Sequence, residues 1–211
     1  MLIVLEGIDG CGKTTVIEGV RKHLADLGFD ALATSEFGHQ HPWAKRLRQE
    51  LMDNVRDPIE QYRTVLKARD EHMNGVLIPA AGLQKIVLMD RYIMSTMAYQ
   101  GQSEFTPVRQ IMDDHANVFN FPVADLTIVL SCTVSTAIKR QQASGKAMDA
   151  IDSAGREFFS RASEIYISSA NAIARQRPNK IRIVDAEQPL DDVLHEVINA
   201  VSGLIMTRDV A

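Results

Sequence analysis

At 211 residues, 45% hydrophobic and 6% aromatic, the chain has the length of one ordinary globular domain and enough apolar material for a real core. A formal net charge of −4 provides no broad basic field, so nucleic acid is not the expected partner and any anion-binding surface must be local. Cys11 and Cys132 lie far apart in no metal-ligand spacing, which suits a reduced, cytoplasmic protein, and the apolar start is too short and too plainly flanked for a membrane span or a leader.

The first apolar run, residues 2–5, reads as a buried strand. Directly behind it, Gly7-Ile-Asp-Gly-Cys-Gly-Lys-Thr14 fits G-x-x-x-x-G-K-[ST], the glycine-rich loop that wraps nucleotide phosphates. Gly7, Gly10 and Gly12 let successive backbone N–H groups converge on phosphate oxygens. Lys13 brings a compact charge to the β- and γ-phosphates, Thr14 can take a place on Mg²⁺, and Thr15 continues into the helix. The expected ligand is therefore a nucleoside triphosphate, with Mg²⁺ as cofactor. A helix is predicted over 14–27. Residues 29–34 form a less apolar strand, expected towards a sheet edge. Helices follow over 42–53 and 58–81, then a strand over 85–90. The remaining pattern is helix 107–117, strand 126–130, helices 134–143 and 153–177, strand 180–185 and helix 189–205.

Short apolar strands alternating with helices predict an α/β fold. It is a three-layer P-loop NTPase architecture with a five-stranded parallel sheet and helices on both faces. Nothing divides the chain, so 1–211 reads as a single domain. The least regular stretches are 36–41, 99–106 and 143–153. The first two follow strand ends where ligands of open α/β sheets gather.

Asp90-Arg91-Tyr92 closes the strand at 85–90. An acid there is positioned to hold Mg²⁺ or its waters beside Thr14, and the adjacent arginine offers a planar fork to a phosphate. The histidines form no metal-ligand spacing. His39 and His41 flank the 36–41 loop and are expected to face water. Met94 and Met97 are expected to fill space.

The segment from Asp90 to Gly101 resembles the D-R-[YH]-x-x-S-x-x-A-Y-Q-G stretch of thymidylate kinases. The start, Leu5 to Thr15, is similar to that family's E-G-x-[DE]-G-x-G-K-T-T. Weaker matches follow at Ala124–Leu130, Phe158–Tyr166 and Val184–Leu190, so the resemblance runs in order from residue 2 to about 197. It implies phosphoryl transfer from ATP to dTMP by a homodimer whose partners are small nucleotides, with no membrane or nucleic acid.

Carried over, Asp9 would bond the acceptor 3′-hydroxyl, and Arg48 and Arg91 would grip its phosphate. Tyr99 would pack near the 2′ position. Glu36, Thr96 and Gln100 complete the acceptor region, about 36–75 with the strand-end segment. Arg69 would bond the base edge, one turn after the position of a stacking aromatic, which is Val65 here. Tyr62 or Phe37 could substitute for the missing ring. The loop at Thr34-Ser35-Glu36-Phe37-Gly38 keeps Glu36 and Gly38 but not the family's arginine and proline. The resemblance also implies a short lid near 139–153, which carries Ala150 where the family has arginine, leaving Arg140, and Lys146 beside it, to meet the transferring phosphate. Lys13, Arg91 and Arg140 are thus the catalytic set. These departures keep two alternatives open: a related, for instance viral, enzyme for other or more deoxynucleoside monophosphates, and a nucleotide-binding protein without transfer.

Overall fold

The computed structural model describes residues 1–54, 56–119, 121–144 and 155–208. Strands β1 (Leu2–Glu6), β2 (Ala31–Thr34), β3 (Ile86–Asp90), β4 (Leu126–Ser131) and β5 (Ile181–Asp185) pair in the order β2-β3-β1-β4-β5. Every pairing is parallel. The sheet order explains the sequence: β1 and β3 sit inside and are almost wholly buried, while β2 and β5 are the edges and carry the more polar runs. The edge position expected for the second strand is met.

Along β1 the side chains alternate between two cores, as a period of two requires. Ile3 and Leu5 pack with Val16, Val20 and Leu24 of α1 (Lys13–Asp26) and with Phe159 and Tyr166 further along the chain. Leu2 and Val4 pack on the other face with Leu77, Ala80 and Phe121. The remaining helices are α2 (Ala44–Asp53), α3 (Pro58–His72), α4 (Ile78–Gly82), α5 (Ile93–Tyr99), α6 (Val108–Asp113), α7 (Val134–Ala143), α8 (Arg156–Gln176) and α9 (Leu190–Arg208). Local chemistry sets several starts. Asp57 caps α3 by accepting from the Ile59 and Glu60 amides at 3.0 and 3.1 Å, with Pro58 in the first turn. Thr133 caps α7 through the Thr136 amide.

Three expectations change. The helix predicted over 58–81 is broken by a π-helical turn, Met73–Leu77. Pro79 explains it: the ring has no N–H and crowds the carbonyl four residues earlier, and a wider turn relieves both problems. Second, α5 was not predicted, because its cap is not local. Glu6, 86 residues before Tyr92, accepts from the Tyr92 and Ser95 amides at 2.8 and 3.2 Å. Third, the lid expected at 139–153 falls mostly on residues 145–154, which lie outside the described residues. Lys146 and Ala150 are among them. Among the described residues, no helix is long and apolar enough to cross a membrane.

The chain winds outward from β1 through β3 to β2 on one side and through β4 to β5 on the other. The loop after β1 therefore opens at the switch point of the sheet, where a crevice forms beyond the strand ends.

Candidate active site

The loop between β1 and α1 depends on glycine at two places. Gly7 and Gly10 have φ of 138° and 88°. A Cβ on Gly10 would come within 2.2 Å of the Ala137 carbonyl oxygen, and one on Gly7 within 2.6 Å of that of Leu130. The loop thus lies directly on α7 and β4. Buried Lys13 curls over it, its Nζ donating to the Gly7 and Ile8 carbonyls at 3.0 and 3.1 Å. Its charge and the first amides of α1 face one way, which makes an anion site of the helix start.

Against this loop stands a second constellation, built on Arg91. The residue follows β3 in a left-handed backbone, φ 71°, a strain of about 1–3 kcal/mol for a residue with a side chain. It is held there by its amide bond to the Leu5 carbonyl at 3.0 Å and by the Glu6 carboxylate on the next amide. The guanidinium pairs with Asp9 and donates to the Gly7 carbonyl, Ser95 Oγ and Tyr166 OH at 3.1–3.2 Å. Tyr99 OH donates to the other oxygen of Asp9 at 3.0 Å. Burial works against an ionised Asp9, but the charges of Arg91 and Lys13 hold its carboxyl at about 2. Burial drives the Tyr99 and Tyr166 phenols far up, so both keep their protons as donors. Ser95 gives its proton to Glu6 at 2.6 Å, which leaves Tyr166 to donate to Ser95.

Behind the crevice wall lies a buried ion pair. Arg69 is 1% exposed and bonds both oxygens of Glu36, at 2.6 and 3.3 Å, and Thr96 Oγ1 at 2.7 Å. Its guanidinium lies 4.9 Å from the centre of the Tyr92 ring and 5.8 Å from that of Phe121.

One cavity of about 1050 Å³ joins these parts. Asp9, Gly10, Gly12, Lys13, Thr14, Thr15, Glu36, Arg48, Val65, Asp90, Arg91, Thr96, Tyr99, Gln100 and Arg140 all line it. Of the site residues expected from sequence, only Gly7 and Arg69 do not. Gly7 lies under the loop. Arg69 differs from its expected place at a base edge: it stands behind the wall and holds Glu36 and Thr96, which line it. Tyr62 differs too, being buried with its hydroxyl on Asp114 at 2.9 Å, so it is no substitute for a stacking ring. Phe37 does line the cavity. Arg140 joins the two walls near the phosphate loop through the Cys11 and Ala186 carbonyls at 3.4 and 2.8 Å. Met94 and Met97 are core residues as expected. His41, expected to face water, instead stacks on Trp43 and bonds Thr34.

Asp90 has a buried carboxylate oxygen, Oδ1, with no hydrogen-bond partner among the described residues. A buried acceptor in that state needs a donor or a cation, and the exposed Thr14 hydroxyl lines the same cavity. No group of three or more His, Cys, Asp or Glu side chains fit for a metal occurs among the described residues. That suits Mg²⁺, which takes one or two protein ligands plus substrate phosphates and water.

Sequence reasoning passed over Glu6, Ser95 and Tyr166 as site residues. All three stood inside the quoted motif stretches, and only their shared contact with Arg91 and α5 reveals their part.

A family model described as thymidylate kinase matches residues 5–197. The chain belongs to the thymidylate kinase family. It is 33% identical over 208 residues to the thymidylate kinase of Alkalilimnicola ehrlichii, covering 96% of this chain and 93% of that one. It is 31% identical over 212 residues to that of Neorickettsia sennetsu, covering 99% and 97%. The Mycoplasma capricolum thymidylate kinase is 29% identical over 95% of this chain and 94% of its own length. Membership makes the chain an enzyme of the nucleoside monophosphate kinase class.

Proposed function

We propose that the enzyme transfers the γ-phosphoryl group of ATP to dTMP, giving dTDP and ADP, with Mg²⁺ held beside Thr14 and Asp90. The observation that carries this reading is a second cation, Arg91, beside Lys13 in one cavity, both on the Gly7 carbonyl, with Asp9 and Tyr99 fixed next to it. A site that bound only ATP would have no use for that second cation. Phosphoryl transfer asks a protein chiefly to align two anions and neutralise their charge, and both cations come pre-oriented. Lys13 takes the donor phosphates. Arg91, with Arg48 at the cavity rim, takes the acceptor phosphate, whose own oxygen attacks in line, so no protein nucleophile is needed. Mg²⁺, when bound, neutralises charge on the donor phosphates. Asp9 and Tyr99 receive the acceptor sugar, and Arg140 braces the loop that carries the donor. Arg69 acts through Glu36 and Thr96, fixing the wall against which the base lies.

A second reading has one observation in its favour. Helix α3 gives the cavity only Val65, with no ring. Base–aromatic stacking is worth roughly 1–3 kcal/mol, so its loss admits a different or broader set of deoxynucleoside monophosphates. The test is to incubate the protein with ATP, Mg²⁺ and each deoxy- and ribonucleoside monophosphate, counting ADP formed. Turnover greatest with dTMP supports the first reading. Turnover chiefly with another deoxynucleotide replaces it with the second, and ATP binding with no turnover refutes both.

A further inference from the structure

We infer that His41 is a positioning residue whose protonation releases the acceptor loop, residues 34–38, and so weakens acceptor binding as pH falls. The acceptor named here rests on the proposed function; the switch itself rests on the hydrogen bonds. Thr34 ends β2, and the four residues after it line the cavity. Its single hydroxyl meets two histidines, His41 Nε2 at 3.0 Å and His72 Nε2 at 2.8 Å. His72 Nδ1 is buried without a partner among the described residues, and a bare lone pair is tolerated there better than an orphaned N–H, so the proton of the neutral ring lies on Nε2. Thr34 Oγ1 then accepts from His72 Nε2 and donates its own proton to His41 Nε2. The order is His72 to Thr34 and Thr34 to His41.

A second proton on His41 breaks this order. It points an N–H at Thr34 Oγ1, which His72 already supplies. Either the Thr34 hydroxyl proton loses its acceptor, or His72 must move its proton to the buried, partnerless Nδ1. Each leaves a buried donor without an acceptor. The damage reaches the loop by two paths. One is Thr34 itself, which leads directly into the loop. The other is Trp43, whose indole stacks on His41 with centroids 4.7 Å apart and planes 5° apart, and whose Nε1 donates to the Glu36 carbonyl at 3.0 Å.

The groups facing His41 agree on the sign. His72 of α3 meets it edge-on at 5.2 Å, and Arg69 stands one turn before His72. Glu36, the acid on the loop, is already committed to Arg69. His39 is exposed. Burial lowers His41 below the ordinary imidazole value and, with the fields of His41 and Arg69, holds His72 down at about 3. His72 therefore stays neutral while His41 titrates. The held loop prefers neutral His41, so its stability is full above the ordinary imidazole value and is lost as pH falls below it.

Trp43 is the chain's one tryptophan, which makes the switch directly visible. Protonated imidazole quenches a stacked indole. In the nucleotide-free protein, emission should fall between about pH 8 and 5, with a midpoint below the ordinary imidazole value. His41→Gln supplies a non-titrating amide oxygen for Thr34 and should remove that fall. From about pH 7.5 to 5.5, KM for dTMP should rise about threefold more in the wild type than in His41→Gln, the scale of one net hydrogen bond. KM for ATP should move alike in both. The acceptor phosphate also titrates near pH 6, but equally for both proteins. Flat wild-type emission, an unchanged fall in His41→Gln, or equal KM profiles would overturn the inference. The emission titration needs no nucleotide, so it decides the matter even if the acceptor carries another base.

Discussion

Glu36→Ala isolates the charge that holds the acceptor wall. Arg69 and Glu36 are 1% and 6% exposed and share two hydrogen bonds. Removing the carboxylate leaves a buried guanidinium with Thr96 and the faces of Tyr92 and Phe121. Deleting one partner of a buried pair costs roughly 3–5 kcal/mol, and the aromatic faces offset only a minor part. A net loss of about 3 kcal/mol is a large share of a domain stability of about 5–15 kcal/mol. With a urea dependence of about 2 kcal/mol per M, the unfolding midpoint should drop by about 1.5 M, read by far-ultraviolet circular dichroism. Acceptor KM should rise as well, because Glu36 and Thr96 both line the cavity. The double variant Glu36→Ala with Arg69→Leu separates charge from shape, since apolar replacement of a whole buried pair is often nearly neutral. It should recover at least half of the lost stability. A single-variant loss below about 1 kcal/mol, or no recovery in the double variant, would show that the pair does not hold the wall.

Three further outcomes follow from the same geometry. Arg91→Ala should reduce transfer by about 10³-fold or more while ATP affinity, measured by calorimetry, stays within about threefold. A collapse of ATP affinity would mean that the two anion sites are not separate. Val65→Phe should tighten dTMP binding by roughly 1–3 kcal/mol if thymine is the natural base, and weaker binding would point to another base. Asp9, held at about 2, contributes stability above the ordinary carboxylate value near 4, and this is lost as pH falls towards 2. Its side chain is about one-third exposed, so the screened contribution is about 1 kcal/mol. Urea midpoints between pH 5 and 2.5 should fall more steeply in the wild type than in Asp9→Asn; parallel slopes would refute it.

The donor site was legible in the sequence because its chemistry is contiguous. Eight residues supply the turns, the lysine and the helix start, and no distant partner is needed to interpret them. The sheet was legible for a similar reason, since each buried strand is a local apolar run. The residues expected to meet an acceptor, at 9, 36, 48, 65, 91, 96, 99 and 100, are scattered along the chain and were picked out only by family resemblance, though they line one cavity. What stayed hidden depended on distant partners. Arg69 looks like any helix charge until Glu36, 33 residues away, fixes it behind the wall. His41 looks like a loop histidine facing water until Thr34, Trp43 and His72 meet its half-exposed ring. The start of α5 carries no cap of its own because Glu6 provides it.

The two halves of the site are held by different means, and this bears on how each can change. The donor loop is fixed by backbone geometry, with glycines pressed on the Ala137 and Leu130 carbonyls, so almost any substitution there disturbs the sheet beneath. The acceptor wall is fixed by side chains acting on side chains: Glu36 on Arg69, Arg69 on Thr96, Asp9 on Arg91. Arg91 also anchors the arrangement, since its contacts with Gly7, Ser95 and Tyr166 tie the strand end to both the loop and α8. A residue such as Val65, which touches the cavity but none of these links, can vary without loosening either anion site. A site held this way would let Val65 or Phe37 change while Asp9, Arg91 and the glycine loop keep every contact that fixes them.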